Sequence, residues 1–289
     1  MTAFSYDLHV HSCLSPCGDD DMTPCNIAGM AHLNGLDIVA LTDHNASRNC
    51  PAFFKACEEY GIIPVAGMEL TTAEDIHLLC LFETLEEALS FETDLQPLRM
   101  QVRNRKGIYG EQRILNEKDE LIGEEPFFLP AATSLDLESA AKMVEQYHGV
   151  CYPAHIDREA NGLLAILGAF PPNPVFKCAE LRDQSNLALA EGRTVFVCSD
   201  AHRLWELKEA VYEKPYENKP VTEAPAGFIL DAYESITDTI TVPAEHLKAL
   251  FAMTPYIHKT SEKDIAKLDA LASLTTTISF GILKCRPQK

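Results

Sequence analysis

The stretch YDLHVHSC, residues 6 to 13, sets two histidines, His9 and His11, one residue apart in an apolar, extended run. In a strand, side chains at i and i+2 point the same way, so both imidazoles face one spot and could hold one metal ion. The pair alone is a weak signal, because an isolated motif of this kind often has no ligand. Later apolar runs strengthen it: they end as ALTDH, AGMEL, DIH, PAHID and CSDAH, each closing on residues able to bind a metal. The candidates are His9, His11, His44, Glu69, His77, His155, Asp200 and His202. Asp200 and His202 repeat the i, i+2 geometry of the opening pair. Imidazole and carboxylate together suit zinc, iron or manganese, whereas an all-oxygen set favours magnesium or calcium. So many donors exceed one coordination shell once positions are left for water and substrate, so two or three divalent transition metals are expected.

Taken singly, His77 could instead be a core histidine and Glu69 a solvent-facing strand end, although the ligand reading is preferred for both. His32 and His148 sit within or just after helical patterns, away from strand ends, and are read as non-ligands. Asp7 and Asp43 neighbour candidate ligands and are expected to orient imidazoles through hydrogen bonds.

Convergence of these residues requires a scaffold. Short β-rich runs alternate with helical patterns: YDLHVH, TPCNIAGMAHLNG, LDIVALTDHN, CPAFFKACEEYG, IIPVAGMEL and DIHLLCLF. This is the rhythm of β-α units and a parallel sheet, in which C-terminal strand ends share the face where sites are built. Thr23 before Pro24 reads as a helix start and Asn34-Gly35 as its end, while Pro51 and Gly61 bracket the next helix. The alternation breaks over residues 83–132, a polar, charged insertion expected to cap a barrel domain made of residues 1–82 and 133–289, the latter with a C-terminal extension. A helix over 135–147 follows, then two strand-like runs, CAELRD and TVFVCSDAH, separated by a further helix. Beyond residue 210 the pattern predicts Pro-containing loops, a hairpin near AGFILDAYESITDTI and a helix around 243–252.

The chain has 289 residues, 46% hydrophobic and 23% charged, which predicts one compact fold. Its formal net charge of −19 argues against a broad electrostatic grip on duplex nucleic acid, so no duplex partner is expected. A small phosphorylated substrate, a metabolite or nucleotide, fits if bound cations reverse the local sign. No apolar run approaches the roughly 20 residues that cross a bilayer, and the N-terminus lacks a basic start and a long apolar stretch. No membrane contact and a cytoplasmic location are therefore expected. The ten cysteines are scattered without a CxxC pair and read as buried, reduced thiols. Cys13, Cys17 and Cys25 share one loop and could instead bind metal or form a bridge, although thiolate sites usually show tighter paired spacing. Oligomeric state is not legible in the sequence.

The joint set HVH, TDHN, a Glu after a strand, a following His, PAH and SDAH resembles the PHP superfamily, named for polymerase and histidinol phosphatase, over residues 5–205. The phrases DLHVHSCLSP, GLDIVALTDHN and PAHIDR look most like small stand-alone bacterial phosphoesterases of that family. The resemblance implies a distorted (β/α)7 barrel and three metals. One would be held by His9, His11, Glu69 and Asp200, and a second by Glu69, His77 and His155, so that Glu69 bridges. The third would be held by His44, His202 and an acidic residue or histidine of the first loop, where GDDDMTP offers Asp19, Asp20 and Asp21. Spacing does not choose between Asp19 and Asp20, and Asp20 is slightly preferred.

Metals a few ångströms apart lower the pKa of a bridging water from about 15.7 to about 7 and cancel phosphoryl charge during in-line displacement. A metal-dependent phosphoesterase follows, with hydroxide between the first two metals, the third metal on the phosphate, and a metal-bound water or Asp200 managing the proton. Arg158, three residues past His155, could reach the phosphate with its planar fork or form a surface ion pair. Family substrates include histidinol phosphate, AMP, nucleoside 3′,5′-bisphosphates and the 5′ end of short RNA. The RNRK cluster, Arg103 to Lys106, is either a solvated face or a contact to substrate phosphate. The alternatives are a histidinol-phosphate phosphatase, a non-catalytic metal-binding PHP module, and an amidohydrolase cleaving a C–N bond, in which a lysine usually bridges the metals.

Overall fold

The computed structural model describes residues 4–204, 206–207, 228–244, 246–247 and 273–287. The chain divides into two units, Met1–Glu213 and Lys214–Lys289. In the first unit β1 (Tyr6–Val10), α1 (Pro24–Leu33), β2 (Ile38–Leu41), α2 (Cys50–Tyr60), β3 (Ile63–Thr71) and β4 (His77–Phe82) follow in order. Next come α3 (Leu85–Leu95), α4 (Lys106–Tyr109), β5 (Arg113–Leu115), β6 (Leu121–Glu124), α5 (Leu137–Gln146), β7 (Val150–Pro153), α6 (Leu163–Leu167), β8 (Cys178–Leu181) and β9 (Thr194–Val197). The helix boundaries have local chemical causes. The Thr23 side chain accepts from the Asn26 amide ahead of Pro24, Gly61 turns left-handed to stop α2, and Thr84 with Glu87 forms a reciprocal cap on α3.

The fold is mixed α/β. A five-stranded sheet has the order β1-β2-β3-β4-β7, and β8-β9 form a separate parallel pair. The chain after β9 returns to β1 through a parallel bridge between Val10 and Ala201, so the sheet curls back toward its own first strand. The expectation of uniformly parallel β-α units is corrected at one point: β4 runs antiparallel to both β3 and β7. The turn after Thr71 is too short for a crossover helix, so the chain reverses and Thr71 pairs with His77. His77 therefore opens its strand, yet it lies at the same end of the sheet as the C-termini of β1, β2 and β3. The helix expected between β8 and β9 is a 3-10 turn over Gln184–Ala190.

Alternation sorts the strand side chains. Ala66, Met68 and Leu70 of β3 and Leu78, Cys80 and Phe82 of β4 join the main core, with Ile27, Ala28 and Ala31 of α1, Phe53 and Cys57 of α2 and Phe91 of α3. The opposite sheet face carries a smaller cluster of Ala40, Leu79, Leu81, Tyr152 and Ala154. Glu69 and His77 fall on that second face by the same alternation, away from the helices.

Residues 83–132 contain α3, the one-turn α4 and the β5–β6 hairpin. They are tied to the rest of the unit by buried polar contacts. Arg48 forms ion pairs with Glu92 and Glu125, the Asn45 amide donates to the carbonyls of Leu129 and Ala131, and the Arg113 amide donates to the Cys13 carbonyl. The RNRK residues serve the segment itself: Arg103 stacks on Phe127, Arg105 on Tyr109, and Lys106 pairs with Glu124.

In the second unit β10 (Phe228–Pro243) pairs antiparallel with β11 (Ser273–Pro287). A local hairpin inside AGFILDAYESITDTI is thus replaced by one long strand whose partner lies near the C-terminus. The helix expected around 243–252 falls largely outside the described residues.

Gly67 is the position where a side chain fits least well in the sheet. A Cβ there would sit 2.6 Å from the Cys80 carbonyl oxygen and 2.9 Å from a Leu81 methyl, whereas one at Gly107 meets nothing within 4 Å. Gly67→Ala is expected to cost about 1–3 kcal/mol of unfolding free energy and Gly107→Ala almost nothing, as read by denaturant titration.

Candidate metal centre

Glu69 is the hub of the site. It is 1% exposed, and its two carboxylate oxygens are shared among imidazoles from four different strand ends. Oε1 lies 2.7 Å from His77 Nδ1, 2.9 Å from His155 Nε2 and 3.5 Å from His9 Nε2. Oε2 lies 3.0 Å from His44 Nδ1 and 3.3 Å from His11 Nε2. Asp200 stands across from it, with Oδ1 at 3.4 Å from His9 Nε2 and 3.3 Å from His11 Nε2. The His11 ring stacks on His202 with centroids 4.3 Å apart.

These side chains arrive together because each follows the end of a strand on one side of the sheet. His9 closes β1, His44 follows β2, Glu69 nears the end of β3, His77 opens the reversed β4, His155 follows β7, and Asp200 and His202 follow β9. Two of them sit on left-handed backbone, His155 at φ 28° and Asp200 at φ 49°, a conformation non-glycine residues hold only when their surroundings impose it. The His155 carbonyl accepts from the Arg158 amide in a tight turn. Gly162 makes that turn possible, since a Cβ there would lie 2.2 Å from the Arg158 carbonyl oxygen.

Hydrogen bonds behind the imidazoles set their tautomers. His9 Nδ1 donates to Glu180, whose oxygens are 3.0 and 3.1 Å away. His11 Nδ1 donates to Ser15 Oγ at 3.1 Å, and Ser15 passes its own proton to Asp43 at 2.7 Å. His202 Nδ1 donates to the Asp200 carbonyl at 2.8 Å. A proton on Nδ1 leaves Nε2 as a lone-pair donor aimed inward. Asp43 thus orients an imidazole through Ser15. Asp7 does not touch a ring; it accepts from the backbone amides of His9 and Ser199, and burial pushes its carboxyl up to about 6.

The electrostatics are those of Glu69 and Asp200 with His9, His11 and His44, each sign favouring the other's charged form. Burial raises Glu69, yet His77, His9 and His44 outweigh it and hold the carboxylate well below its usual range. Burial likewise raises Asp200, and His9 and His11 pull it down. Burial lowers His11, but Asp200 and Glu69 hold it up at about 9. His202 is pushed down to about 4 by burial and by His11 beside it.

The donor set fits divalent transition metals. His9 Nε2 and His11 Nε2 face each other at 3.1 Å, a contact that two lone pairs tolerate only around a shared cation or proton. His44 Nδ1 and His155 Nδ1 are buried without a hydrogen-bond partner; His44 Nδ1 approaches Glu69 but lacks hydrogen-bond alignment. Among the described residues three groups have donor atoms all within 4.8 Å of one another: His9, His11, Glu69 and Asp200; His44, Glu69 and His77; and His11, His44 and His202. Imidazole with carboxylate selects transition ions over calcium or magnesium.

Other expected residues lie elsewhere. Asp19 pairs with Arg203 at 3.5 Å and the exposed Asp20 with Arg113 at 3.4 Å, and neither joins the three groups. Cys13, Cys17 and Cys25 are free thiols. Arg158 Nη1 donates to Asp200 Oδ2 at 2.8 Å. Arg182 makes the same bond at the same distance, and neither it nor Glu180 was expected from sequence. The available signal was the run CAELRD, whose strand-end acid and cation match the pattern of the other strand ends.

Ions bound by this set are expected to stabilise the fold, by about 4 kcal/mol at free ion a thousandfold above its dissociation constant. Chelator-treated protein should melt lower, with recovery on adding manganese, iron or zinc, and Glu69→Gln should abolish that recovery; calorimetry with elemental analysis reads both.

Comparison with known proteins gives the chain's family and the likeness of its fold. The chain is 34% identical over 104 residues to an uncharacterized protein of Methanocaldococcus jannaschii, a match covering 33% of this chain and 61% of that protein. The lesion-specific endonuclease EndoQ of Pyrococcus furiosus superposes with a TM-score of 0.51 and 20% identity, over 70% of this chain and 49% of that one. A complex of Endonuclease Q with a 27-mer duplex carrying an abasic lesion at the active site matches with TM-score 0.48, 20% identity and the same coverage. The chain therefore spans 61% of the curated relative and 49% of each of these solved chains. The expectation that duplex nucleic acid is excluded is overturned by the likeness in fold to the lesion-specific endonuclease, at a TM-score of 0.51. The error was physical: net charge sums a whole surface, whereas binding depends on where the charge lies. The PHP domain model matches residues 7–158, more than half of the chain, and the protein belongs to the PHP domain family.

Proposed function

We propose that this protein is a metal-dependent phosphoesterase that hydrolyses a phosphate monoester or nucleotide, such as AMP, a nucleoside 3′,5′-bisphosphate or the 5′ end of short RNA. The observation that carries the reading is the double use of Asp200. Its Oδ1 faces the His9–His11 pair, and its Oδ2 accepts from two guanidiniums, Arg158 and Arg182, each about half exposed. Cations are thereby set on the open side of the histidine cluster, where an anionic group must enter.

His9, His11, Glu69 and Asp200 would hold one ion, Glu69 with His77 and His155 a second, and His44 with His202 a third, of zinc, iron or manganese. Ions held there supply an acidified water as nucleophile and offset phosphoryl charge. The chain's own part is to hold and orient. Glu180 and the Ser15–Asp43 pair keep His9 and His11 as Nε2 donors, and Arg158 and Arg182 fork onto phosphoryl oxygens. Asp200 sits between the two and is placed to take or return a proton. Glu69 stands where amidohydrolases usually have a lysine, which favours P–O over C–N cleavage.

Residues 83–132 act in this reading as a cap that selects substrate, with residues 1–82 and 133–289 forming a distorted (β/α)7 barrel and its extension. Support comes from Gly110, at φ 103°, which packs so closely on the first loop that a Cβ would lie 2.1 Å from the Pro16 carbonyl oxygen. No helix of the described residues is long and apolar enough to cross a membrane, and the free thiols suit a reducing compartment such as the cytoplasm.

The test is phosphate release from p-nitrophenyl phosphate, AMP, a nucleoside 3′,5′-bisphosphate and 5′-phosphorylated RNA, with manganese, iron or zinc added and an abasic duplex as a further arm. Arg158→Ala and Arg182→Ala are each expected to lower kcat/KM about ten- to hundredfold. Failure of every monoester with every metal, or cleavage confined to the duplex, would reject the proposal.

A further inference from the structure

The β5–β6 hairpin is a two-stranded sheet of its own, and such a ribbon is marginal in water unless something holds its free edge. Here the edge is held by a stretch of backbone and by one side chain. The Arg113 amide donates to the Cys13 carbonyl at 3.0 Å. On either side of Ile114 the Asn49 carboxamide takes the place of a strand partner: Nδ2 donates to the Arg113 carbonyl at 3.1 Å, and Oδ1 accepts from the Leu115 amide at 2.9 Å. Asn49 immediately precedes α2, where an asparagine side chain ordinarily accepts from the first helical amides. It makes no such bond, and its polar groups go to the hairpin and to one further residue.

That residue is Ser12, whose Oγ accepts from Asn49 Nδ2 at 2.9 Å. Ser12 Oγ in turn donates to Asp43 Oδ2 at 2.6 Å, and Ser15 Oγ donates to Asp43 Oδ1 at 2.7 Å. Ser15 Oγ also faces His11 Nδ1 and the His44 amide, each at 3.1 Å. Asn49, Ser12, Asp43, Ser15 and His11 are all buried, none more than 1% exposed. The proton directions along this line are forced. The Asp43 carboxylate only accepts, so each serine gives it its single hydroxyl proton and can only accept on the other side. Ser12 therefore requires the nitrogen of the Asn49 carboxamide, and Ser15 requires a proton on His11 Nδ1.

We propose that Asn49 is a positioning residue of the centre: through Ser12, Asp43 and Ser15 it joins the β5–β6 hairpin to the His11 imidazole, so that seating of the hairpin and binding of an ion are coupled. The coupling runs both ways, as linkage requires. An ion that fixes the His11 ring tightens the hold on the hairpin, and a loosened hairpin weakens the hold on the ion. Asn49 touches no ion itself and acts only through the residues between. The inference rests on the reading of the cluster as a metal centre.

Zinc titration and amide hydrogen exchange on the full-length, chelator-stripped protein test it. In the wild type, zinc is expected to slow exchange of the Arg113 amide. Asn49→Ala leaves that amide its own acceptor, Cys13, yet should abolish the slowing and weaken zinc binding about tenfold, the low end of what residues behind metal ligands contribute. In a Ser12→Ala background the same substitution should cost no further zinc affinity, because the path is already cut. Phe91→Leu, a core change in α3, controls for lost stability and should leave zinc affinity unaltered. Slowing that survives in Asn49→Ala, zinc affinity equal to the wild type, a loss additive with Ser12→Ala, or an equal loss in Phe91→Leu each overturns the assignment while leaving the centre standing. A wild type that binds no zinc removes the centre and the assignment together.

Discussion

A carboxylate buried to 1% exposure among five imidazoles is the constraint on which the rest of this structure depends. An isolated ionised carboxylate in such a place is costly to desolvate, and a crowd of neutral imidazoles does not relieve that cost by itself. Charge must be supplied from within the cluster. The fold answers with donors on every adjacent strand end and with Arg158 and Arg182 on the Asp200 side. Without that convergence, Glu69 would be a liability placed in the middle of a sheet.

The scaffold makes convergence possible through one topological exception. In a strictly parallel sheet every strand would deliver its residue at its C-terminal end. Here β4 is reversed, so His77 reaches the same mouth from the start of its strand, directly beside the last residue of β3. The reversal also brings β7 antiparallel to β4 and hence parallel to β3, which returns His155 to the mouth. Left-handed backbone at His155 and Asp200 marks where the chain bends its strand ends inward, a cost of about 1–3 kcal/mol each that the surrounding contacts must offset.

Much of this was legible in the sequence, for reasons that differ by residue. His9, His11, His44, Glu69, His77, His155, Asp200 and His202 all stood at the edges of apolar runs, and periodicity alone was enough to place them on one side. The direction of β4 was not legible, because an apolar run does not record which way it pairs; the length of the preceding turn carried the information. Glu180 and Arg182 were missed although CAELRD ended as the other runs did, because a Glu preceding Leu within a strand reads as an edge charge until its partner, His9 Nδ1, is seen. Asp19 and Asp20 looked equivalent to a metal ligand in one dimension, and only the path of the loop shows them turned toward arginines. The long partnership of β10 with β11 was hidden because a strand's mate can lie tens of residues away.

The central claim is that ions sit on both sides of Glu69, and anomalous diffraction from crystals grown with zinc or manganese measures it most directly. The account requires at least two anomalous peaks within bonding distance of Glu69 oxygens, one also bonded to His9, His11 and Asp200 and the other to His77 or His155. A map from fully loaded crystals with no peak at Glu69, or with peaks only on surface histidines such as His148, would contradict it.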